Sequence, residues 1–317
     1  MLVELEEIRA AAKRLRGVAV RTPLLAWDDG TWLKPESLQP IGAFKMRGAY
    51  NKLASLTDAE RARGVVTYSS GNHAQAVARA ARLLGTTAVI VMPDDAPRVK
   101  VEGVRRDGAE IIFTGPGSEE RHEVALRLVA ERGYTMVEPY DDPAIIAGQG
   151  TIGLEIVEDL PGVTSVLVPV SGGGLSAGIA TAVKRLRPAA RVIGVEPELA
   201  ADAKESLERG ELVSWPGERT NQTMADGLRT QSLGPLPFEH LRRFLDGIVT
   251  VSEDEIADAM RVLARRARLV IEPSGAAAMA AHLAGRVEPR AGDDARVVIL
   301  SGGNVDPDRF LEILSGG

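Results

Sequence analysis

The strongest constraint on the fold of this chain is a repeated alternation of short apolar runs with segments of helical length. Runs rich in Val, Ile and Leu have the length of buried strands at residues 65–68, 88–92, 110–114, 166–170, 192–195 and 297–300. Longer segments between them, such as residues 72–84 and 143–159, have the length and pattern of helices. Strands that alternate with helices form right-handed βαβ units. We therefore predict an α/β fold in which helices flank twisted, parallel-rich sheets.

Chain length and composition indicate a soluble globular protein with two lobes. The chain has 317 residues, more than one domain usually contains, and its net charge of −6 disfavours nucleic acid as a partner. The absence of Cys excludes disulfides, thiolate nucleophiles and Cys-based metal sites. The sequence shows no signal peptide and no apolar run of membrane-spanning length, so we expect a cytoplasmic protein without a membrane partner.

Lys45 is the first candidate for a reactive side chain. It lies between an aromatic residue and small residues in the stretch Ile41-Gly42-Ala43-Phe44-Lys45-Met46-Arg47. A desolvated amine loses its proton more easily than one in water and can then attack a carbonyl group, as Schiff-base lysines do. Taken alone, the stretch fits better a lysine that begins a helix over residues 45–55 and points into water.

A glycine-rich turn follows the predicted strand at residues 166–170 and precedes a helix. Its sequence is Ser171-Gly172-Gly173-Gly174-Leu175-Ser176-Ala177-Gly178. Glycines let the backbone approach an anion, and a helix start offers free N–H groups at the positive end of the helix dipole. The turn therefore predicts a phosphate site.

Three functional interpretations fit this turn, in addition to a packing turn that binds nothing. Gly172-x-Gly174-x-x-Ala177, with Glu196 at the end of the next strand, matches the dinucleotide fingerprint G-x-G-x-x-G/A. Residues 174–178 match the hydrolase pattern G-x-S-x-G, but the preceding glycines place Ser176 inside the helix. The third interpretation is a site for the phosphate of a cofactor, and it alone also gives Lys45 a role.

Two further turns of small and polar residues follow predicted strands. The turn at residues 69–73, Ser-Ser-Gly-Asn-His, offers hydroxyl, amide and helix-start N–H groups to a substrate carboxylate, whereas a helix cap needs one such residue. The turn at residues 301–304, Ser-Gly-Gly-Asn, ends the last predicted strand. Open α/β sheets bind ligands at the carboxyl ends of their strands, so we expect the three turns to form one site.

The order of these segments resembles that of the fold-type II pyridoxal-phosphate enzymes, with their tryptophan synthase β-like fold, and within them the threonine dehydratase and serine racemase family. Residues 146–151 (Ile-Ala-Gly-Gln-Gly-Thr) and 271–276 (Ile-Glu-Pro-Ser-Gly-Ala) match further segments of this family. The resemblance covers nearly the whole chain. It implies a large cofactor-binding domain of residues 1–53 and 141–317 and a small substrate-loop domain of residues 54–140.

The resemblance also implies a role for each residue of the turns. Lys45 forms the Schiff base with pyridoxal phosphate and moves the Cα proton, and Ser70 matches the serine that acts on the opposite ring face in racemases. The implied cofactor contacts are Phe44 and Asn72 at the ring, Ser301 at the pyridine nitrogen, and Ser171, Gly172, Gly173, Gly174 and Leu175 at the phosphate. The implied substrate loop consists of Ser69, Ser70, Gly71, Asn72 and His73.

A divalent-cation site is a further implication of the resemblance. Glu196, the carbonyl group of Ala200 and Asp202 match cation ligands of family members, and oxygen ligands suit Mg²⁺ or Ca²⁺. The alternative is that both carboxylates lie at a solvated helix start.

The sequence departs from the family pattern in two places. Ile41-Gly42-Ala43 stands where the family usually has Thr-Gly-Ser before Phe-Lys, which removes hydroxyl groups beside the cofactor. The sequence ends shortly after the turn at residues 301–304, so we do not expect feedback inhibition through the C-terminal regulatory domain of biosynthetic threonine dehydratases.

The predicted activity is the dehydration and deamination of L-threonine and L-serine to 2-oxobutanoate and pyruvate, with release of ammonia. Serine or aspartate racemisation and 3-hydroxyaspartate dehydration are alternatives on the same fold, because Ser70 offers a second acid–base group. The rivals from other classes are an NAD-dependent oxidoreductase and a serine hydrolase. The resemblance also implies a homodimer.

Overall fold

Within the residues that the computed structural model describes, 1–28, 30–69, 71–96, 98–115, 118–288 and 294–316, the strands form one sheet of six strands and one of four. We call them the large sheet and the small sheet. The strands are β1 (Leu25–Asp28), β2 (Thr31–Pro35), β3 (Val65–Tyr68), β4 (Ala88–Pro93), β5 (Glu110–Thr114), β6 (Thr135–Met136), β7 (Ser165–Pro169), β8 (Arg191–Pro197), β9 (Gly247–Val251) and β10 (Arg296–Leu300).

Helices lie between most of these strands. They are α1 (Leu5–Arg14), α2 (Lys45–Ser55), α3 (Asp58–Arg63), α4 (Asn72–Leu84), α5 (Arg98–Arg106), α6 (Ser118–Arg132), α7 (Pro143–Asp159), α8 (Gly174–Leu186), α9 (Asp202–Arg209), α10 (Gly217–Thr220), α11 (Pro235–Phe244), α12 (Glu253–Val262), α13 (Pro273–Leu283) and α14 (Pro307–Ser315). Short 3₁₀ turns lie at Glu36–Leu38 and Asp226–Leu228, and a π-helical turn, Leu263–Ala267, follows α12. Over the part of the chain described, none of the helices combines the length and the apolar character needed to cross a bilayer.

The topology confirms the predicted two-lobed α/β fold with parallel-rich sheets. The small sheet has the order β5-β4-β3-β6, and all its neighbours are parallel. The large sheet has the order β1-β2-β10-β7-β8-β9, in which β1 and β2 are antiparallel and the other neighbours are parallel. Every residue of β4, β7 and β10 is buried, as expected for parallel strands with helices on both faces.

The two sheets use different parts of the sequence. The strands of the small sheet lie between Val65 and Met136, and those of the large sheet lie before and after this segment. We call the elements around the two sheets the small lobe and the large lobe. The domain limits of 1–53 with 141–317, and of 54–140, stay a prediction.

Glycines bring α2, α7 and α8 into backbone contact. A Cβ atom added to Gly148 would lie 2.6 Å from the Cα atom of Gly48, and one added to Gly178 would lie 2.4 Å from the carbonyl oxygen of Ile146. Real side chains do not fit at these distances, so the helices pack closely only because these positions lack a Cβ atom. Since α2 begins at Lys45 and α8 follows the glycine-rich turn, this packing fixes two parts of the candidate site relative to each other.

Residues 216–237 contain α10 and the first turn of α11, although prolines and glycines are frequent in this segment. Pro235 occupies the first position of α11, where its missing N–H group costs no helix bond. Phe238, Leu241 and Phe244 then place one buried apolar stripe against the large lobe. The prolines of this segment therefore begin a helix.

Candidate active site

The stretch around Lys45 and the turn at residues 301–304 are in direct contact. Ala43 forms an antiparallel bridge with Gly302. The N–H group of Phe44 donates to the carbonyl oxygen of Ser301 at 3.0 Å, and that of Gly303 donates to the carbonyl oxygen of Gly42 at 2.9 Å. These main-chain bonds hold the start of α2 against the carboxyl end of β10.

Asn72, at the start of α4, joins the second turn to this pair. Its Oδ1 atom accepts a hydrogen bond from Nδ2 of Asn304 at 2.8 Å, and its own Nδ2 donates to Oε1 of Glu272 at 2.5 Å. Nδ2 of Asn304 also donates to the carbonyl oxygen of Ile41 at 2.8 Å. The structure therefore brings Asn72, Ser301 and the Lys45 stretch together at the ends of parallel strands from both lobes.

The Lys45 amine points into the protein and has lost part of its solvation. Nζ donates to the carbonyl oxygen of Pro139 at 2.6 Å and lies 5.3 Å from the ring centroid of Phe44. Among the described residues, no carboxylate lies within ion-pair distance of this amine. Burial lowers the pKa of Lys45 to about 8. A substantial fraction of the amine is thus neutral and nucleophilic at mildly alkaline pH, unlike that of a solvated lysine at a helix start.

The glycine-rich turn forms a shallow cradle at the start of α8. Gly173 has a φ of +90°, which strongly favours glycine. A Cβ atom added to Gly172 would lie 2.3 Å from Cδ1 of Tyr140. Oγ of Ser171 shares a 2.8 Å hydrogen bond with Oγ1 of Thr230, and the carbonyl oxygen of Gly172 accepts from the N–H group of Gly234 at 3.1 Å. These contacts fix the loop while the first turn of α8 presents its N–H groups to a ligand.

A short segment between β6 and α7 connects Lys45 to this cradle. Pro139 accepts the hydrogen bond from Lys45. The ring of the next residue, Tyr140, lies against Gly172, and its Cα, Cβ and carbonyl oxygen lie against Gly174. Burial, reinforced by nearby carboxylates, raises the pKa of Tyr140 to about 12, so this phenol stays neutral. Sequence reasoning missed both residues, because neither has a motif and only the fold brings them to the site.

The predicted substrate loop is only partly described. Ser70 lies outside the described residues, and Oγ of Ser69 accepts a hydrogen bond from the N–H group of Gly71 at 3.3 Å. His73 is buried, and its Nε2 atom lies 3.0 Å from the carbonyl oxygen of Val137, so Nε2 carries the proton of the neutral ring. Burial, assisted by the charge of Lys45, lowers the pKa of His73 to about 3. His73 is therefore a neutral ring tied to the small lobe, and its contact with substrate stays a prediction.

Comparison with known proteins decides which ligand this arrangement serves. A family described as pyridoxal-phosphate dependent enzymes matches residues 16–303 of the chain. The chain belongs to this family. Pyridoxal phosphate is therefore the cofactor of this enzyme, as predicted. The assignment of Lys45 and the three turns to its binding site stays a prediction.

Relatives of this pyridoxal-phosphate dependent enzyme cover almost the whole chain. It is 43% identical to the L-threonine ammonia-lyase of Thermotoga maritima, over 100% of this chain and 79% of that protein. It is 42% identical to the catabolic L-threonine dehydratase TdcB of Escherichia coli K12, over 98% and 96%. It is 39% identical to the L-threo-3-hydroxyaspartate ammonia-lyase of Saccharomyces cerevisiae, again over 98% and 96%.

Solved structures show the same architecture. A threonine deaminase from T.th. superposes with a TM-score of 0.89 at 44% identity, over 96% of this chain and 99% of that one. Maize serine racemase superposes with a TM-score of 0.93 at 37% identity, over 98% and 97%. The fold is therefore common to a deaminase and a racemase, and it does not by itself select the reaction.

The described residues fit pyridoxal phosphate. Lys45 offers an amine without a carboxylate partner in the described part of the chain, and the glycine-rich turn, in which Tyr140 leaves no room for a Cβ atom at Gly172, leads directly into the start of α8. Asn72 and Ser301 add neutral polar groups beside them, suited to a ring hydroxyl and a ring nitrogen. The individual contacts of Phe44, Leu175 and the other predicted site residues stay predictions.

The rival interpretations of the glycine-rich turn do not survive the structure and the comparisons. Ser176 lies inside α8, is 1% exposed, and donates its Oγ hydrogen to the carbonyl oxygen of Gly173, so the serine-hydrolase interpretation is wrong. Glu196 is fully buried, and its two carboxylate oxygens accept hydrogen bonds from the N–H groups of Ala203 and Lys204 at the start of α9. Family membership replaces the nicotinamide interpretation with pyridoxal phosphate.

The predicted cation site has an unusual carboxylate pair. Glu196 and Asp202 are 0% and 1% exposed, so the alternative of a solvated helix start is wrong. Among the described atoms, Oδ2 of Asp202 has no hydrogen-bond partner. Burial raises the pKa of both groups, that of Asp202 to about 7, and the charge of Asp202 raises that of Glu196 further. Over the described residues no cluster of three or more His, Asp or Glu exists, so a cation here also needs carbonyl oxygens such as that of Ala200.

Replacing Gly172 by Ala is expected to weaken cofactor binding. The new methyl group would lie within 2.4 Å of three ring atoms of Tyr140, so the turn or the ring must move. Overpacking of this kind costs about 1–3 kcal/mol. Because cofactor binding requires the present geometry of the turn, this cost corresponds to about a 5- to 150-fold rise in the Kd of pyridoxal phosphate. Fluorescence titration of the apoprotein measures this Kd. Gly162→Ala is the matched control, because no atom lies within 4 Å of its added Cβ; equal Kd values in both variants would contradict the cradle.

Proposed function

We propose that this enzyme is a threonine ammonia-lyase that converts L-threonine to 2-oxobutanoate and ammonia and also accepts L-serine. The main support for the proposal is the position of the Lys45 amine. It donates a hydrogen bond to the carbonyl oxygen of Pro139 and lies between the Asn72 turn and the glycine-rich turn. Relatives named threonine ammonia-lyase or threonine dehydratase, at 42–43% identity over nearly the whole chain, support the choice of substrate.

The side chains of the site divide the work of this reaction. Pyridoxal phosphate, when bound, supplies the electron sink for the charge that develops at Cα of the substrate. The lowered pKa of Lys45, about 8, lets its amine take the Cα proton at mildly alkaline pH. The start of α8 and the glycine-rich turn hold the phosphate group, which fixes the position of the reacting atoms near Lys45.

The neutral hydroxyl of Ser301 bears on the choice of reaction. Ser301 is buried at the end of β10, and a hydroxyl group does not keep a pyridine nitrogen protonated as a carboxylate does. With a hydroxyl group at this position, the cofactor would be only a moderate sink for charge at Cα. Prompt loss of a β-hydroxyl group is favoured over slow reprotonation. This supports elimination of water as the main reaction.

The decisive test is to mix purified holoenzyme with L-threonine and to record the visible spectrum and the keto acid together. We expect a shift of the cofactor band and the appearance of 2-oxobutanoate. Parallel assays with L-serine and 3-hydroxyaspartate, together with chiral analysis of recovered serine and aspartate, cover the alternatives. A band that shifts without 2-oxobutanoate, while oxaloacetate or a D-amino acid accumulates, would replace the ammonia-lyase assignment by one of these alternatives.

We propose in addition that the enzyme is a cytoplasmic homodimer. The family resemblance supports the dimer, and the absence of Cys supports the compartment, because the chain has no disulfide that would require an oxidising environment. Sedimentation velocity of the holoenzyme tests the dimer; a single species at the monomer mass of 33.7 kDa would contradict it.

Divalent cations are expected to stabilise the enzyme through Glu196 and Asp202, most strongly above neutral pH. The folded-state pKa of Asp202, about 7, exceeds its ordinary value of 3.8, so the cation-free fold binds more protons and loses stability as pH rises between these values. Mg²⁺ or Ca²⁺ should compensate the ionised pair, so the increase in Tm on adding either ion should be larger at about pH 8 than at about pH 6. The double variant Glu196→Gln with Asp202→Asn should lose this increase; an unchanged increase would place the cation elsewhere.

A further inference from the structure

Lys100 is a buried cation that the proposed reaction does not use. It belongs to α5 of the small lobe and is 2% exposed. Its Nζ atom donates to the carboxylate of Asp226 and lies 3.6 Å from Oε2 of Glu272. Asp226 begins a 3₁₀ turn and Glu272 caps α13, and both belong to the large lobe. A buried ammonium group is tolerated only when it is paired, so its partners across the lobes are the reason that it can stay charged.

Glu272 connects this ion pair to the active site. Its carboxylate is 1% exposed, and Oε1 accepts the hydrogen bond from Nδ2 of Asn72. A Cβ atom added to Gly302 would lie 2.1 Å from the same Oε1 atom, so the carboxylate lies beside the residue that follows Ser301. Glu272 thus touches one proposed contact of the cofactor ring and lies next to the other.

The charge of Glu272 sets the orientation of the Asn72 amide. An ionised carboxylate only accepts hydrogen bonds, so Asn72 must turn its NH₂ group towards Glu272. Its Oδ1 atom then accepts from Nδ2 of Asn304, as observed. A protonated Glu272 can donate, and this orientation is then no longer required.

Lys100 is the group that favours the ionised form of Glu272. Burial raises the pKa of Glu272 to about 7, against the opposing influence of Lys100. Among the described atoms, Oε2 of Glu272 has no hydrogen-bond partner, so the ammonium group 3.6 Å away is its main compensation. Next to Lys100, the N–H group of Val99 donates to Oδ1 of Asp306 at 3.3 Å, which adds a second contact between the lobes.

We propose that Lys100 is a positioning residue. Its ammonium group joins the two lobes and, by pairing with Glu272, fixes the orientation of the Asn72 amide towards the cofactor ring. The proposal rests on the proposed cofactor contact of Asn72, and its turnover readout rests on the proposed function. In this proposal Lys100 acts through Glu272 and Asn72.

The test compares holoenzymes of the wild type, Lys100→Met, Lys100→Arg and Lys184→Met. Lys184 is the matched control, because it forms a 2.7 Å ion pair with Asp246 within the large lobe. For Lys100→Met we expect a shifted cofactor absorption band and a kcat that is lower by about 10- to 100-fold at nearly constant KM, because the ring contact is misplaced. Lys100→Arg should retain the wild-type band in part, and Lys184→Met should retain both band and kcat.

Two further measurements separate positioning from stability. Adding Glu272→Gln to Lys100→Met removes the uncompensated carboxylate and should recover part of the band and of kcat. Hydrogen exchange of the apoprotein should show faster exchange at Val99 in Lys100→Met and unchanged exchange there in Lys184→Met. A Lys100→Met enzyme with a lower Tm but the wild-type band and kcat would overturn the proposal.

Two outcomes need their own readout. If Lys100→Met does not fold, Glu272→Gln alone must shift the band, and an unchanged band in that variant would overturn the proposal. If the wild type does not turn over L-threonine, the proposed function fails. The cofactor absorption band and the hydrogen exchange at Val99 still test whether Lys100 joins the lobes and orients Asn72.

Discussion

Replacing Lys45 by Ala is expected to abolish 2-oxobutanoate formation, lowering kcat by at least about 10³-fold. The amine is lost from the point where the Asn72 turn, the glycine-rich turn and Pro139 meet. A second lysine, Lys100, lies near the Asn72 turn, but its ammonium group is paired with Asp226 and Glu272. The nearest lysine on the same helix, Lys52, is paired with Asp142 at 2.6 Å. Neither amine is placed to take the Cα proton in the position of Lys45.

The measurement is steady-state formation of 2-oxobutanoate, combined with borohydride treatment and mass spectrometry of the protein. The wild type should gain the mass of the reduced cofactor on a peptide that contains Lys45, and the variant should not. Lys52→Ala is the control, since it removes an amine from the same helix without touching the site. Turnover near that of the wild type in Lys45→Ala would end both the assignment of Lys45 and the mechanism built on it.

The elements that carry the site could be predicted from local patterns. The stretches at residues 45–55, 65–68 and 72–84 appear in the structure as α2, β3 and α4 with the same bounds. Each of these stretches contains either a helical period of apolar residues or a run of β-branched residues. The residue that ends the helix or strand lies within about a dozen positions. Local patterns of this kind are sufficient to place Lys45 and Asn72 at the first residues of their helices.

The partners of these residues could not be predicted in the same way. Pro139 lies 94 residues from Lys45, and Glu272 lies 200 residues from Asn72. Neither contact follows from periodicity, because each depends on how the two lobes are joined. Glu272 was visible within the segment 271–276, but its burial and its pairing with Lys100 exist only in the folded chain. The sequence thus predicts which turns bind the cofactor, and the tertiary structure shows which residues contact Lys45 and Asn72.

Replacing Arg47 by Met is expected to lower the free energy of unfolding by about 3–5 kcal/mol, because it leaves a buried negative charge uncompensated. Arg47 lies two residues after Lys45 and is 1% exposed. Its guanidinium group pairs with Glu36 at 2.8 Å and with Glu155 at 2.6 Å, and Lys34 also donates to Glu155 at 2.6 Å. Two cations balance two anions here, and the change to Met removes one of the cations.

The pH dependence of this loss distinguishes a charge effect from a packing effect. Burial opposes the ionisation of Glu36, but Arg47, together with Lys34 and Thr22, outweighs it, so the pKa of Glu36 lies below its ordinary value of 4.5. A carboxylate whose pKa is lowered in the folded state stabilises the fold at pH values above its unfolded-state pKa. This stabilisation is lost as pH falls, so the free energy of unfolding of the wild type decreases on acidification. In Arg47→Met burial should raise that pKa, and protonation of Glu36 then relieves the buried charge. The difference in stability between the two proteins should therefore narrow as pH falls through about 4.5.

Urea unfolding of the apoproteins at neutral and acid pH measures both effects. Arg9→Met is the control, because Arg9 forms an exposed 3.5 Å pair with Glu6 whose loss should cost less than about 1 kcal/mol. The double variant Arg47→Met with Glu36→Gln should recover part of the lost stability at neutral pH. A loss that is the same at both pH values and is not relieved by Glu36→Gln would show that Arg47 supports the start of α2 through packing, and that the charge balance next to Lys45 is not what stabilises it.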